Sequence, residues 1–486
     1  MAAENAKEKT AVAVDNDLEK KDYFHGYRPR KDIQHLLKEP NHFLVRVTDS
    51  NGKGFGDIVI STMNDKKEII HLTLVHEKEK WKFMLMSGDG RGLKKKKSSG
   101  DVTKRQENRG FVGFNTVVQL VDYYKEHKTP GKGYLKHPVP RPKWQITHDL
   151  VDYKTSDLIG RGNFCNVYRG KYKRTAGTTY DVAIKVCHEG KLTETSDESK
   201  EARKAMIGEA ERMSIYVDDF IVQLHGVALA RPPILIVMEY CAGGNLETHL
   251  KKNPGDKIEP GERVVYALEA AKGMRYLHEK SCVHRDLAAR NCLISADGVI
   301  KIGDFGLSLN ELDKSGADEE PDANAQIPVR WMAPESLKRP AKYSAKTDVW
   351  SFGVLLYEIF AGEKPWPDEP VKKIATLIRK CQMLAMPSNT PKPIVEMTDK
   401  VWVLKEEDRP SMNKLFRMLY NIRKEVRPPA DVKLWAISTI PGVKRCRLDV
   451  ARNDVSEAEA NSKDKDISLP TTENTNTQSE VAPKKT

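Results

Sequence analysis

The chain has 486 residues, 39% of them hydrophobic, and carries 81 Lys and Arg against 69 Asp and Glu, a formal net charge of +12. That length suits about two to four domains, and no apolar run reaches the roughly 18–20 residues of a bilayer span. The seven cysteines are scattered without a C-x-x-C pair, which argues against a disulfide scaffold or zinc cluster and for free thiols in a reducing compartment. The positive charge suits acidic partners such as phosphoproteins, ATP or an anionic membrane surface; nucleic acid shares that chemistry but is not an expected partner.

Taken in order, residues 1–20 are charged, without the apolar core of a signal peptide or the glycine after Met1 that myristoylation needs. They read as a disordered tail of a soluble, cytoplasmic protein. Residues 23–130 form a first compact unit. Within it "HFLVRV" and "FGDIVIST" alternate as strands do, and "PRKDIQHLLKE" and "NTVVQLVDYYKEH" carry apolar residues at helical spacing. The insertion over 88–110, with its KKKK run, reads as a solvated loop; a membrane or nuclear-targeting role is the alternative. A linker rich in proline and basic residues covers 131–150. A long unit follows over 151–426, and a polar tail over 427–486 is expected to be disordered.

In the first unit, "FLVR" puts Arg46 on a strand with apolar neighbours. An inward arginine is costly without an anion, and its planar fork suits a phosphate. Thr48 and Ser50 follow as hydroxyl donors. A buried arginine–carboxylate bridge would explain Arg46 equally well on these grounds.

The long unit opens with "LIGRGNFCNVYRG", whose glycines let backbone approach a phosphate chain or simply make a tight turn. "VAIK" puts Lys185 in a strand, where it needs an anionic partner, and "IGEAERM" offers Glu209 on a helix. "VHRDLAARNCL" gathers Asp286, Arg290 and Asn291 on one loop, and Asp304 of "GDFG" follows. Two carboxylates and a carboxamide suit magnesium, a hard cation that takes oxygen ligands. "APE" at Ala333–Glu335 and "DVWSFG" from Asp348 complete the order.

These motifs, in this order, are the signature set of protein kinases, which the long unit resembles over its whole length. "HRDLAARN" and "IPVRWMAPE" look like the tyrosine-specific branch. The resemblance implies ATP and Mg²⁺ as cofactors, with Asp286 and Arg290 catalytic, Lys185 held by Glu209 on the nucleotide phosphates, and Asn291 and Asp304 on the metal. It implies a phosphate loop over Gly160, Arg161, Gly162, Asn163, Phe164, Cys165 and Asn166, with Cys165 where the family has a third glycine. Ile159, Val167, Ala183 and Leu293 would sandwich the adenine, Met238 would guard the back of the pocket, and the backbone of Glu239 and Cys241 would bond the adenine edge.

"YFHG", "PRKDI", "FLVR", "IIHL" and "VVQLVDYY" together look like a Src-homology-2 domain. In it Arg46, helped by Arg30, Thr48, Ser50 and His71, would take phosphotyrosine. The expected fold class is therefore α+β: a bilobal protein kinase fold preceded by a small Src-homology-2 α+β domain. That order is similar to the Fes/Fer group of non-receptor tyrosine kinases, here without the group's N-terminal membrane-bending and coiled-coil region. Expected partners are tyrosine-phosphorylated proteins and protein tyrosine substrates, with recruitment to the plasma membrane or a receptor. The rival reading is a phosphotyrosine-binding adaptor that binds ATP but transfers nothing; the intact motif set argues against it.

The stretch Leu307–Trp331, an activation segment on this reading, contains no tyrosine. Leu309 stands where a phosphate-binding arginine is common, Arg285 remains, and Ser315 and the carboxylates of Asp318, Glu319, Glu320 and Asp322 are what the segment offers instead. The expectation is a catalytic unit supported by docking of the first domain and the Trp144 linker on the Glu209 helix.

Overall fold

The computed structural model describes residues 16–49, 55–84, 112–130, 133–161, 165–174, 177–187, 197–310 and 327–445. Ser50, the 88–110 insertion, Gly162, Asn163, Phe164, Ser315 and the acidic residues 318–322 lie outside these.

The chain begins with a short helix α1 (Asn16–Glu19) and strands β1 (Phe24–Tyr27), β2 (His42–Asp49), β3 (Phe55–Met63), β4 (Ile69–Glu77) and β5 (Lys80–Phe83), then helix α2 (Val117–Glu126). The strands form one sheet in the order β1-β2-β3-β4-β5. Along β2 side chains alternate between faces. Phe43, Val45 and Val47 join the main core with Leu120 and Val121 of α2, whereas Leu44 packs on the other face with Ile33, Leu37 and Met63. By that alternation Arg46 shares the face of Leu44 and Thr48. The helix expected over 29–39 is instead a 3₁₀ run, Arg30–Ile33, followed by a turn. There i→i+3 bonds such as Leu36 N–H to Ile33 O (3.0 Å) suffice to bury Ile33 and Leu37.

The linker is built into both neighbouring sheets. Strand β6 (His137–Pro138) pairs with β2. Strand β7 (Gln145–Ile146) pairs with a sheet of the long unit made of β8 (Val151–Arg161), β9 (Cys165–Lys173), β10 (Thr179–Cys187), β11 (Leu224–Ala228) and β12 (Leu235–Glu239), ordered β7-β11-β12-β10-β9-β8. Helix α3 (Asp197–Met213) follows β10 and lies beside this sheet.

A helical lobe completes the fold, with β13 (Gly244–Asn245), α4 (Leu246–Lys252), α5 (Pro260–Glu279), β14 (Cys282–Val283), β15 (Cys292–Ile294), β16 (Ile300–Ile302), β17 (Leu309–Asn310), α6 (Ala345–Ala361), α7 (Val371–Arg379), α8 (Lys392–Val401) and α9 (Met412–Glu425). Helix α5 is its central element, buried along most of its length. Arg409 is fully buried and holds Glu335 through two bonds of 2.6 and 2.9 Å, tying the "APE" turn to the loop before α9. No described helix is long and apolar enough to cross a membrane.

Part of each expected tail is folded, over residues 16–20 and 427–445. At the N-terminus Leu18 is buried in the core, and Glu19 Oε1 accepts the His148 N–H at 2.7 Å, joining α1 to the linker. At the other end residues 427–445 fold back onto the helical lobe. Trp435 is 0% exposed, and the buried Glu262 of α5 accepts the N–H groups of Ala436 (2.9 Å) and Ile437 (3.0 Å). Arg445 stacks on Trp435 and reaches Glu269 of α5 at 2.6 Å. The apolar "LWAI" within an otherwise polar stretch is the physical reason: it covers the end of α5, and α5's buried carboxylates need these donors.

The two units touch directly. Tyr27 N–H donates to Leu229 O at 2.8 Å. The neighbouring Gly26 has φ +58, and a Cβ there would lie 2.4 Å from that same oxygen, so only glycine fits.

Replacing Trp435 with alanine is expected to destabilise the helical lobe by about 3–5 kcal/mol, the usual cost of emptying a buried aromatic site. Thermal or chemical denaturation of the full chain measures it, and a midpoint shift no larger than that of an exposed substitution such as Leu434→Ala would contradict the packing role.

Candidate functional site

Where the β7–β12 sheet meets the helical lobe, Lys185, Glu209, Asp286, Arg290, Asn291 and Asp304 come near one another. Lys185 on β10 donates from Nζ to both oxygens of Glu209 on α3, at 2.8 and 2.6 Å. Burial works against the ammonium, but Glu209 and Asp304 outweigh it and raise the Lys185 pKa above its ordinary value. The pair is formed as the sequence predicted.

Asp286, Arg290 and Asn291 meet on the loop before β15. Arg290 Nη2 contacts Asp286 Oδ1, and Asn291 Nδ2 donates to Asp286 O (2.7 Å) and Oδ2 (2.8 Å). Burial raises the Asp286 pKa, against the pull of Arg290 and Asn291. Gly303 N–H donates to Asn291 O at 2.9 Å, which brings Asp304 beside this loop. Asp304 has φ +59 and Arg285 φ +69, a left-handed conformation uncommon for residues other than glycine and worth a functional explanation.

The supports of the loop were less visible in the sequence. Asp348 of α6, fully buried, accepts the N–H groups of His284 (2.8 Å) and Arg285 (3.0 Å) and bonds His278 Nε2 (3.0 Å). Glu358, also on α6, accepts from Ala289 N–H and Trp331 Nε1, both at 2.9 Å, and burial pushes its pKa up to about 7. Trp331 in turn lies under the Arg290 guanidinium, 4.2 Å from its centre. A carboxylate inside an apolar helical run, as in "FGVLLYEIF", is the signal that would have found Glu358. Arg285 stacks 3.8 Å over the Tyr343 ring.

The sheet side supplies the apolar residues. Ala183 pairs in register with Met238, Val167 with Lys185 and with Gly160, and Arg161 with Asn166. Ala183 is buried, Val167, Met238 and Leu293 are half-buried, and Ile159 is exposed. Cys165 is buried at the start of β9, and Asn166 Nδ2 donates to Tyr168 Oη at 3.0 Å. The Glu239 carboxylate is engaged by Lys301 at 3.0 Å, and Cys241 is buried, which pushes its thiol pKa up to about 12.

For a metal, no group of three or more His, Cys, Asp or Glu side chains converges among the described residues. Asn291 and Asp304 offer two oxygen donors from adjoining loops. That fits magnesium, which is commonly held by one or two protein oxygens together with substrate phosphates.

A second site lies on the first unit. Arg46 is 2% exposed, yet no carboxylate pairs with it among the described residues; its Nε donates to Ser61 Oγ (3.0 Å) and its Nη1 to Arg28 O (2.9 Å). Burial, reinforced by the charge of the nearby Arg30, lowers its pKa to about 10. Ser61 Oγ also bonds His71 Nδ1 at 2.9 Å, and burial with the two arginines lowers the His71 pKa to about 4. No internal arginine–carboxylate bridge to Arg46 forms among the described residues. Its guanidinium lies beside Thr48 and the exposed Arg30. Ser61 was missed in the sequence; its place opposite Leu44 on β3 needs the strand register to be seen.

A family model described as protein tyrosine and serine/threonine kinase matches residues 153–419. Human tyrosine-protein kinase Fer is 33% identical over 415 residues, covering 84% of this chain and 45% of Fer. Fer-related kinase 1 of Caenorhabditis elegans is 31% identical over 416 residues, covering 84% of this chain and 95% of that protein. The transforming protein Fps of avian sarcoma virus (strain PRCII) is 32% identical over 410 residues, 83% of this chain and 68% of that protein. The chain thus spans about half the length of the Fer protein it matches and nearly all of Fer-related kinase 1. By motif order, cleft geometry and sequence similarity alike, the chain belongs to the protein tyrosine and serine/threonine kinase family, in its Fer-related branch.

Proposed function

We propose that this protein transfers the γ-phosphate of ATP to tyrosine hydroxyls of proteins, in the cytoplasm, and that its first unit is a Src-homology-2 domain that binds phosphotyrosine. The observation that carries the first part is the assembled pair of Lys185 with Glu209 beside the Asp286, Arg290 and Asn291 cluster. The buried Arg46, with no carboxylate partner among the described residues, carries the second.

Asp286 orients the substrate hydroxyl and takes its proton as the oxygen bonds to the γ-phosphorus and the bond to the bridging oxygen of ADP breaks. Lys185, kept charged and aimed by Glu209, grips the α- and β-phosphates. Arg290 steadies Asp286 and the transferred group. Asn291 and Asp304 would hold Mg²⁺, whose charge offsets that of the phosphate oxygens. Catalysis of this kind is mostly positioning and charge stabilisation. The first unit's contact with Leu229 and α3 supports the docked, competent arrangement, and its affinity for phosphotyrosine brings the chain to tyrosine-phosphorylated proteins at a receptor or the membrane.

Lys185→Met and Asp286→Asn are each expected to abolish transfer to a tyrosine polymer while melting as the parent chain does; near-normal turnover by Asp286→Asn overturns its assignment. Arg46→Lys keeps the charge but loses the two-pronged geometry. Calorimetry with phosphotyrosine peptides should show affinity lowered about tenfold or more, as for loss of a charged hydrogen bond, and unchanged affinity would make Arg46 a structural residue. Residues 16–445 should turn over faster than residues 149–445, both after phosphatase treatment; equal rates would remove docking from the regulation.

A further inference from the structure

Arg212 lies in the last turn of α3, three residues after Glu209, so both project from neighbouring positions on one side of the helix. Its guanidinium donates from Nε to Ser308 Oγ (3.1 Å) and from Nη2 to the carbonyl oxygens of Phe305 (3.2 Å) and Gly306 (3.4 Å). Ser308 is itself buried and donates to Phe305 O at 2.8 Å. The Phe305 ring, fully buried, stacks on Tyr216 just beyond α3 and meets His284 edge-on. The turn that immediately follows Asp304 is therefore fastened to α3 by a charge and to the catalytic loop by ring packing. Asp304 needs such fastening, because a left-handed aspartate persists only where its surroundings hold it.

The same helix carries the other contacts that matter. Glu209 holds Lys185, Glu211 lies 3.8 Å from Arg28 of the first unit, and Arg203 sits 5.7 Å over the Tyr27 ring. Between Phe305 and Arg330 the chain has no tyrosine to accept a phosphate. Arg212, by contrast, keeps its charge at all physiological pH, and the oxygens it grips belong to backbone and a buried hydroxyl.

We propose that Arg212 is a positioning residue: it ties the turn after Asp304 to the helix that bears Glu209, so that Lys185 and Asp304 are presented together without phosphate on the segment that follows. This rests on the phosphotransfer reading above. It makes the seat of α3 the one variable that sets both sides of the cleft. A guanidinium is required because it reaches three oxygens at once, where an ammonium on a shorter stem reaches fewer. A role confined to satisfying the end of α3 would alter stability without loosening the 303–310 turn in particular.

The test uses the full chain with Arg212→Met, Arg212→Lys, Ser308→Ala and the double variant Arg212→Met/Ser308→Ala. Hydrogen exchange is read over residues 303–310, and kcat and KM for ATP are read with a tyrosine peptide. Arg212→Met should speed exchange in 303–310 and lower kcat, each by about tenfold, as expected for loss of a charged hydrogen bond, with α5 and α9 unchanged. Arg212→Lys should recover part of both. Ser308→Ala should cost less alone and add little to Arg212→Met, since the two act through one contact. Exchange and kcat both within about twofold of the parent, or Arg212 and Ser308 effects that multiply independently, overturn the proposal. Should Arg212→Met fail to fold, Arg212→Lys and Ser308→Ala decide it by the same readouts. A parent chain with no transfer at all would overturn the phosphotransfer reading instead, and exchange over 303–310 then decides the role of Arg212 by itself.

Discussion

A lysine ammonium in a strand interior is tolerated only beside a carboxylate, and the pairing of Lys185 with Glu209 is the constraint around which this cleft is arranged. It fixes α3 against the sheet. Apolar packing contributes little more: "DESKEARKAMIGEAERM" is rich in charge, and among its described residues Met206, Ile207, Ala210 and Met213 are the buried apolar ones. A helix so lightly packed takes its position from specific contacts, and neighbours that supply or withdraw a contact can shift it.

The helical lobe is built the other way. Several of its buried charges are answered: Asp348 by two backbone amides, Glu358 by an amide and an indole, Arg409 by Glu335, and Glu262 by the returning C-terminal segment. Polar networks satisfied in this way rigidify what they join. The loop bearing Asp286 and Asn291 is thus held on a stiff base, and adjustment falls to α3 and the turn after Asp304.

What the sequence made legible follows the same division. Residues whose chemistry has no cheap structural explanation stood out: Lys185 in a strand, Arg46 among apolar neighbours, and the Asp286, Arg290, Asn291 and Asp304 series. The structure pairs Lys185 with Glu209, gathers Asp286, Arg290 and Asn291 on one loop with Asp304 beside it, and buries Arg46 separately in the first unit. Less legible were residues whose partner is distant in sequence and of ordinary type. Ser61 meets Arg46 only through strand register, and Glu19 meets His148 across 129 residues. Trp435 is hidden in a stretch whose average composition is polar, so an averaged reading assigns it to a tail. Periodicity also overstated the segment after Pro29, where a pair of buried side chains, Ile33 and Leu37, is served by a 3₁₀ turn as well as by a helix.

The energetics of switching follow from how the two units join. An exposed carboxylate–arginine pair contributes about 0.2–1 kcal/mol, whereas carrying a two-state element from mostly off to mostly on takes about 5.5 kcal/mol. The Arg28–Glu211 pair, with Glu211 43% exposed, falls well short of that alone. The remainder has to come from contacts that are buried: the Tyr27 amide on Leu229, the pairing of β7 with β11, and the Glu19 carboxylate on His148, whose other ring nitrogen reaches Pro233 O at 3.0 Å. These contacts join the first unit, the linker and the small lobe at several points along one surface. Undocking therefore has to break them together, and on the docking proposal this interface, more than any single charge, would carry the state of the first unit to α3.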